Sequence, residues 1–214
     1  MEFKLEGVRY GSILFIEDLT IEKGKVTAII GKSGGGKSTL LKLLNKSLSP
    51  DYGTIHYDGE PLSERDSVLH RRKVLYLNQN PMVFDGTIKD NLLKGFMYQR
   101  RALPDDERLE NVLRKVRLEL SFDQSASKLS GGEAQRLALG RILLLDAETY
   151  LFDEPSSALD EKSELDVLNS VIAWLRSSGK TVVMVTHSKD VALKHADRIL
   201  ALNDGTIEEV ETHE

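Results

Sequence analysis

The sequence predicts an α/β fold with a mainly parallel sheet, an N-terminal antiparallel β region and an inserted helical segment. Three observations predict it. The apolar runs Val26–Ile30, Val74–Leu77, Tyr150–Phe152 and Thr181–Val185 have the continuous make-up of strands buried on both faces. Helical patterns lie between them, and strands that alternate with helices indicate parallel pairing. The stretch from Ile88 to about Asp146 interrupts this alternation, being mostly helical in pattern and more charged, and reads as a helical subdomain inserted into the sheet domain.

From the N-terminus, Phe3 to Ile21 reads as short strands with a turn near Tyr10-Gly11-Ser12. Glu22-Lys23-Gly24-Lys25 is a turn before the first buried strand. From Lys37 the positions Leu40, Leu41, Leu43, Leu44 and Leu48 follow helical spacing, and Pro50-Asp51-Tyr52-Gly53 stops that helix. Thr54–Tyr57 followed by Asp58-Gly59 predicts a strand and a tight turn. Pro104, followed by the acids Asp105, Asp106 and Glu107, predicts a helix start. A helix through Leu165, Leu168, Ile172 and Leu175 separates the last two buried strands, and Asn203-Asp204-Gly205-Thr206 closes a terminal hairpin.

The 214 residues fit one domain, or one domain with a subdomain. Lys and Arg total 29 against 34 acids, a net charge of -5, which does not favour a nucleic-acid partner. The basic clusters His70-Arg71-Arg72-Lys73 and Arg100-Arg101 read as solvated faces or docking charges. The chain has no cysteine, which excludes disulfides, thiolate metal sites and a cysteine nucleophile. His56, His70, His195 and His213 show no metal-ligand spacing and read as surface or structural residues. No apolar run approaches the ~20 residues of a membrane helix, and Met1–Glu6 has no apolar signal core. The expectation is a soluble chain.

The segment Gly31-Lys32-Ser33-Gly34-Gly35-Gly36-Lys37-Ser38 fits G-x-x-x-x-G-K-[ST], between a buried strand and a leucine-striped helix. Glycines let several N–H groups converge on one anion, and the following helix adds its N-terminal N–H groups and dipole. Lys37 supplies a charge for the β- and γ-phosphates, and Ser38 offers a hydroxyl to Mg²⁺. Ser33, Gly34, Gly35, Gly36 and Thr39 complete the expected phosphate site. This establishes a nucleoside triphosphate site without choosing among ATPase, GTPase and kinase.

At Leu129 the sequence reads "LSGGEAQRLALGRILLLDAETYLFDEPSSALD". It resembles the ATP-binding-cassette (ABC) ATPase family, and the resemblance covers essentially the whole chain. Leu129–Glu133 looks like the family signature, Asp153-Glu154 the end of Walker B, Ser157–Asp160 the D-loop, and His187 the switch histidine. Gln79 looks like the Q-loop glutamine and Tyr10 like the A-loop aromatic. The resemblance implies a P-loop NTPase (RecA-like) core, ATP hydrolysis with Mg²⁺, and a head-to-tail dimer. In that dimer Ser130, Gly131, Gly132 and Glu133 of one chain, with Asp160, would cover nucleotide held by the other. It implies Tyr10 on adenine, Ser38, Gln79 and Asp153 at the metal, and His187 on the γ-phosphate. Glu154, beside Asp153 at a strand end, is placed to polarise the attacking water. Glu133 stands where glutamine is commoner, Lys32 where proline is, and Ser156 where threonine is.

Two functions remain open. One is the energy subunit of a membrane transporter whose integral-membrane permease is a separate chain, the cassette lying peripherally on the cytoplasmic face of the cell membrane and working as a homodimer. The other is a soluble mechanochemical ATPase acting on ribosomes or DNA. A single cassette, without cysteines or sustained heptads between the phosphate loop and the signature, favours the transporter. "NPMVFDGTIKDNL" looks like exporter-type cassettes. The whole is similar to small bacterial cassettes that pair with a separate permease and are linked to iron export. Met82, Val83, Phe84, Phe96, Met97 and Tyr98 are expected to supply part of the permease-docking pocket.

Overall fold

The computed structural model describes residues 2–80, 82–155 and 161–212, without the side chains of 161–164 and 211–212. The chain forms two compact units, one of residues 1–76, 147–154 and 175–214, the other of 77–146 and 155–174.

The first unit holds both sheets. Strands β1 (Phe3–Tyr10) and β2 (Leu14–Ile21) form a hairpin, and β4 (Tyr52–Tyr57) and β5 (Glu60–Pro61) extend it into an antiparallel sheet of order β2-β1-β4-β5. The second sheet has the order β10-β9-β3-β8-β7-β6. Its centre comprises β3 (Val26–Ile30), β7 (Thr149–Asp153), β8 (Thr181–Val185) and β9 (Arg198–Asn203), with β3–β8, β3–β9 and β7–β8 parallel. Edge strands β6 (Val74–Leu77) and β10 (Thr206–Thr212) flank it, and β10 closes the expected hairpin on β9 through Asp204-Gly205. Every residue of β7 and β8 is buried, as their unbroken apolar runs require. Leu151, Val183, Val185 and Ile29 join Leu40, Leu41, Leu43 and Leu44 of helix α1 (Lys37–Leu44) in one core.

Helix α1 ends earlier than the leucine spacing predicts. Lys46 adopts a left-handed φ of 57°, and Ser47 N–H and Leu48 N–H both donate to Lys42 O, so Leu48 lies beyond the helix. Helix α2 (Ser67–Lys73) has no counterpart in the apolar pattern. Asp66 caps it by accepting from the N–H groups of Val68 and Leu69, and its basic last turn suits the helix C-terminus. Helix α7 (Lys189–His195) is capped by Ser188, whose hydroxyl accepts from Val191 N–H.

The basic cluster on α2 is not wholly a solvated face. His70 is buried, its Nε2 lies 2.8 Å from Leu44 O, and its ring meets Tyr57 edge-on at 5.1 Å. His195 is buried as well.

The second unit holds α3 (Ile88–Gln99), α4 (Asp106–Lys115), α5 (Gly131–Leu143) and most of α6 (Glu161–Ser177). Asp105 is the N-cap of α4, so Pro104 precedes the cap rather than opening the first turn. Leu92, Leu109, Val112, Leu137 and Leu139 are buried, the inward stripes of three helices.

Burial holds the His70 imidazole below its ordinary value, and Arg65, Lys46 and Arg71 push the same way, against the opposing Leu44 carbonyl. The unfolded chain therefore takes up a proton there near pH 6.5 before the folded chain does. That contribution to stability is full above about pH 6.5 and is lost as pH falls below it. His70→Gln, which keeps an N–H donor for Leu44 O, is expected to flatten the loss by at most about 1.4 kcal/mol per pH unit. Urea unfolding of both proteins between about pH 7.5 and about pH 5.5 checks this, and parallel slopes would remove His70 from the linkage.

Candidate active site

The glycine loop leaves β3 at Gly31 and enters α1 at Lys37. Gly31 has φ 145°, and a β-carbon there would run into the Leu202 carbonyl oxygen of β9. Gly36, the N-cap of α1, has φ 93°, and its would-be β-carbon meets Leu14 Cδ2 at 2.8 Å. Glycine is thus required at both ends of the loop, by close approach and by a left-handed backbone. No side chain caps α1, which leaves its first N–H groups for an anion. The Lys37 ammonium donates to Gly31 O at 2.9 Å and Lys32 O at 2.8 Å. With three donors on an ammonium, one N–H remains for a phosphate. Burial draws Lys37 below its ordinary value, while the charges of Glu154 and Asp153 act in the opposite sense.

The carboxylates stand at the end of β7. Asp153 is 2% exposed and its Oδ2 accepts from the Tyr76 hydroxyl at 2.7 Å. Glu154 follows with φ 48°, a left-handed conformation that costs a side chain about 1–3 kcal/mol. Its N–H donates to Val185 O at 3.0 Å. His187, two residues past β8, places Nε2 2.6 Å from Glu154 Oε1. Ser38 and Thr39 are half-buried in the first turn of α1, and Ser33 and Gly34 are exposed on the loop. Tyr10 is half-buried at the end of β1 and packs on the core. The turn after it reaches the glycine loop, since Ile13 O would lie 3.2 Å from a β-carbon on Gly36. The first unit therefore brings together the loop lysine, Asp153, Glu154 and His187, and carries Tyr10 on the hairpin whose turn reaches the loop.

The other expected site residues belong to the second unit. Gln79 is exposed, two residues past β6. Ser130 is the N-cap of α5, and the helix starts at Gly131. Glu133 N–H donates to Ser130 Oγ at 3.3 Å, and Glu133 Oε2 accepts from Ser130 N–H at 2.9 Å and Ser130 Oγ–H at 2.7 Å. This is a complete capping box. Its hydrogen bonds hold the Glu133 carboxyl below its ordinary value. Ser157 and Asp160 lie outside the described residues, as does His213.

The expected docking set divides. Met82, Met97 and Tyr98 are exposed, Val83 and Phe84 half-buried, and Phe96 is core at 2%. Phe96 instead lies under the guanidinium of Arg101 at 5.0 Å. Three residues that sequence reasoning missed shape the region. Asn91 accepts from Phe84 N–H and donates to Phe84 O, each at 2.9 Å. Arg141 lies 4.8 Å from the Phe84 ring centroid and donates to Met82 O at 2.7 Å. Tyr76 carries no mark in the sequence beyond its place in a buried strand. The partners of Arg141 and Tyr76 lie 59 and 77 positions away and leave no local signal, and the Asn91–Phe84 pair has no spacing that repeats.

A glycine-looped strand-to-helix turn and an Asp-Glu pair at the end of the next strand but one of the same parallel sheet define a P-loop nucleotide-binding cassette. The ABC transporter family matches residues 16–157, and the chain belongs to it. Protein STAR1 of Oryza sativa subsp. japonica is 40% identical over 194 residues, 90% of this chain and 56% of that protein. The chain therefore spans little more than half the length of this relative. ABC transporter I family member 17 of Arabidopsis thaliana is 38% identical over 90% of this chain and 73% of its own. Phosphate import ATP-binding protein PstB 2 of Natronomonas pharaonis is 38% identical over 94% of this chain and 76% of its own. Among solved structures, a dimeric ATP-binding cassette in a post-hydrolysis state, bound to ADP and Pi, has a TM-score of 0.85 at 28% identity, over 99% of each chain. A bacterial Atm1-family ABC exporter with ATP bound has a TM-score of 0.89 at 28% identity, over 99% of this chain and 39% of that one.

Gly31→Ala is expected to lower nucleotide affinity at least about tenfold, because Leu202 and the positive φ both oppose a β-carbon. Titration with a fluorescent ATP analogue measures it. Wild-type affinity would mean the loop relaxes without loss.

Proposed function

We propose that the chain binds and hydrolyses ATP to power a membrane transporter, working as a head-to-tail nucleotide-sandwich dimer with a separate permease, and that the transporter exports its cargo. The observation that carries the catalytic part is the Glu154–His187 contact at 2.6 Å, one residue from the buried Asp153.

The loop N–H groups and Lys37 would bind the β- and γ-phosphates, with Tyr10 against adenine. The donors expected for Mg²⁺ are hard oxygens, the Ser38 hydroxyl and the Asp153 carboxylate, with Gln79, and they fit an ion that prefers oxygen and keeps several waters. When bound, Mg²⁺ supplies charge neutralisation to the phosphate oxygens. Glu154 accepts a proton from the attacking water, and His187 Nε2–H, which meets the Glu154 carboxylate before nucleotide binds, would turn to donate to the γ-phosphate when ATP arrives. Ser130, Gly131, Gly132 and Glu133, with Asp160, would close the site of the partner copy. The α5 N-terminus supplies N–H groups suited to an anion there.

The separate permease is supported by the exposed Met82, Met97 and Tyr98 beside the pinned Phe84 loop. The relatives' names include both import and export. Export rests on the aromatic residue ahead of the Gly86-Thr87-Ile88 turn. Where the cassette meets its permease, it would lie peripherally on the cytoplasmic face of the membrane.

Glu154→Gln is expected to retain ATP affinity, to lose about 10²–10⁴-fold in hydrolysis rate, and to form an ATP-dependent dimer by light scattering. Wild-type hydrolysis in that variant would sink Glu154 as the base. Captured from its own cells with ATP and mild detergent, the same variant is expected to bring down a polytopic membrane protein. Ribosomal or DNA-associated partners alone would overturn the transporter assignment.

A further inference from the structure

Edge strand β6 presents Val74, Leu75 and Leu77 to the interior and leaves Tyr76 half-buried. A phenol at that position can pack its ring and carry its hydroxyl to a polar partner. The ring packs against the core of the first unit, and the hydroxyl reaches Asp153 Oδ2 at 2.7 Å. The bond is short, as charge-assisted hydrogen bonds to carboxylates are.

The partner matters because of where it lies. Asp153 is almost fully buried, and a buried carboxylate is costly without donors. The Tyr76 hydroxyl is such a donor, and it comes from a neighbouring strand rather than from the loop. A phenolic hydroxyl is protonated throughout the physiological range and serves as a donor to the carboxylate. With Oδ2 engaged, the main remaining acceptor capacity of the carboxylate is on Oδ1. Its rotamer is selected before any ligand arrives.

We infer that Tyr76 is a positioning residue for the metal–nucleotide site. Its hydroxyl holds Asp153 in the orientation that receives the metal's water shell. This rests on Asp153 being the metal-side carboxylate, the reading proposed above. Groups that orient a metal's carboxylate through a hydrogen bond characteristically contribute about 10–100-fold to metal affinity.

The test compares the wild-type chain with Tyr76→Phe and Asp153→Asn, each at full length. Mn²⁺ affinity is read by electron paramagnetic resonance in the presence of ADP, and ADP affinity is read separately in EDTA. Tyr76→Phe removes one oxygen and keeps the ring. It is expected to weaken Mn²⁺ binding about tenfold or more and to leave ADP affinity in EDTA at the wild-type value. Unchanged Mn²⁺ affinity in Tyr76→Phe, with a loss in Asp153→Asn, would overturn the role of Tyr76 alone. An equal loss of ADP affinity with and without metal would also overturn it, since that is what general damage to the site produces. Unchanged Mn²⁺ affinity in Asp153→Asn would instead overturn the assignment of Asp153.

Discussion

Val185 pairs with Ile29 on one side and with Asp153 on the other. Three parallel strands thus end level with one another. Beyond that level lie Gly31, Glu154 and His187, and the Glu154 and Thr186 N–H groups bond back across the strands to Val185 O and Ile29 O. A one-residue slip of β7 on β8 would send Asp153 to the opposite face, and a slip of β3 on β8 would displace the glycine loop from it. The full burial of β7 and β8 makes such a slip costly, because any shift would change which groups are desolvated. The site's geometry is therefore secured by apolar packing several residues away from the chemistry.

What the sheet delivers is a concentration of charge that would not assemble unaided. A buried ammonium, a buried carboxylate and a second carboxylate in a left-handed backbone conformation each oppose folding. Local partners offset the cost. Lys37 binds two loop carbonyls, Asp153 takes the Tyr76 hydroxyl, and Glu154 meets His187 and the Val185 carbonyl. Each group is held in place and keeps some hydrogen-bonding capacity, which is the condition for receiving a phosphate and a water with little rearrangement.

The second unit uses a different device. Its signature-like segment is a helix N-terminus whose serine and glutamate satisfy one another, so the turn is ordered by its own capping box. The Phe84 loop is held from two helices, by Asn91 of α3 and Arg141 of α5, which leaves Met82 and Tyr98 exposed on an ordered base. Soft side chains on a fixed backbone can adapt to the shape of whatever they touch.

Much of this was legible in the sequence, for a physical reason. The strands at the centre of the sheet are apolar on both faces, the glycine loop has a spacing set by backbone curvature, and the Asp153-Glu154 pair follows its strand directly. Those signals are local, and the sequence by itself determined them. The packing of His70 was not legible, because a histidine within His-Arg-Arg-Lys reads as surface until Tyr57 and Leu44 enclose it. The end of α1 depended on the left-handed turn at Lys46, which overrides the leucine stripe. Tyr76 lies 77 positions from Asp153, and Arg141 59 from Met82. Only the tertiary structure decided these pairings, because a hydrogen bond between distant residues leaves no periodicity and exists only once strand order and register have brought its partners together.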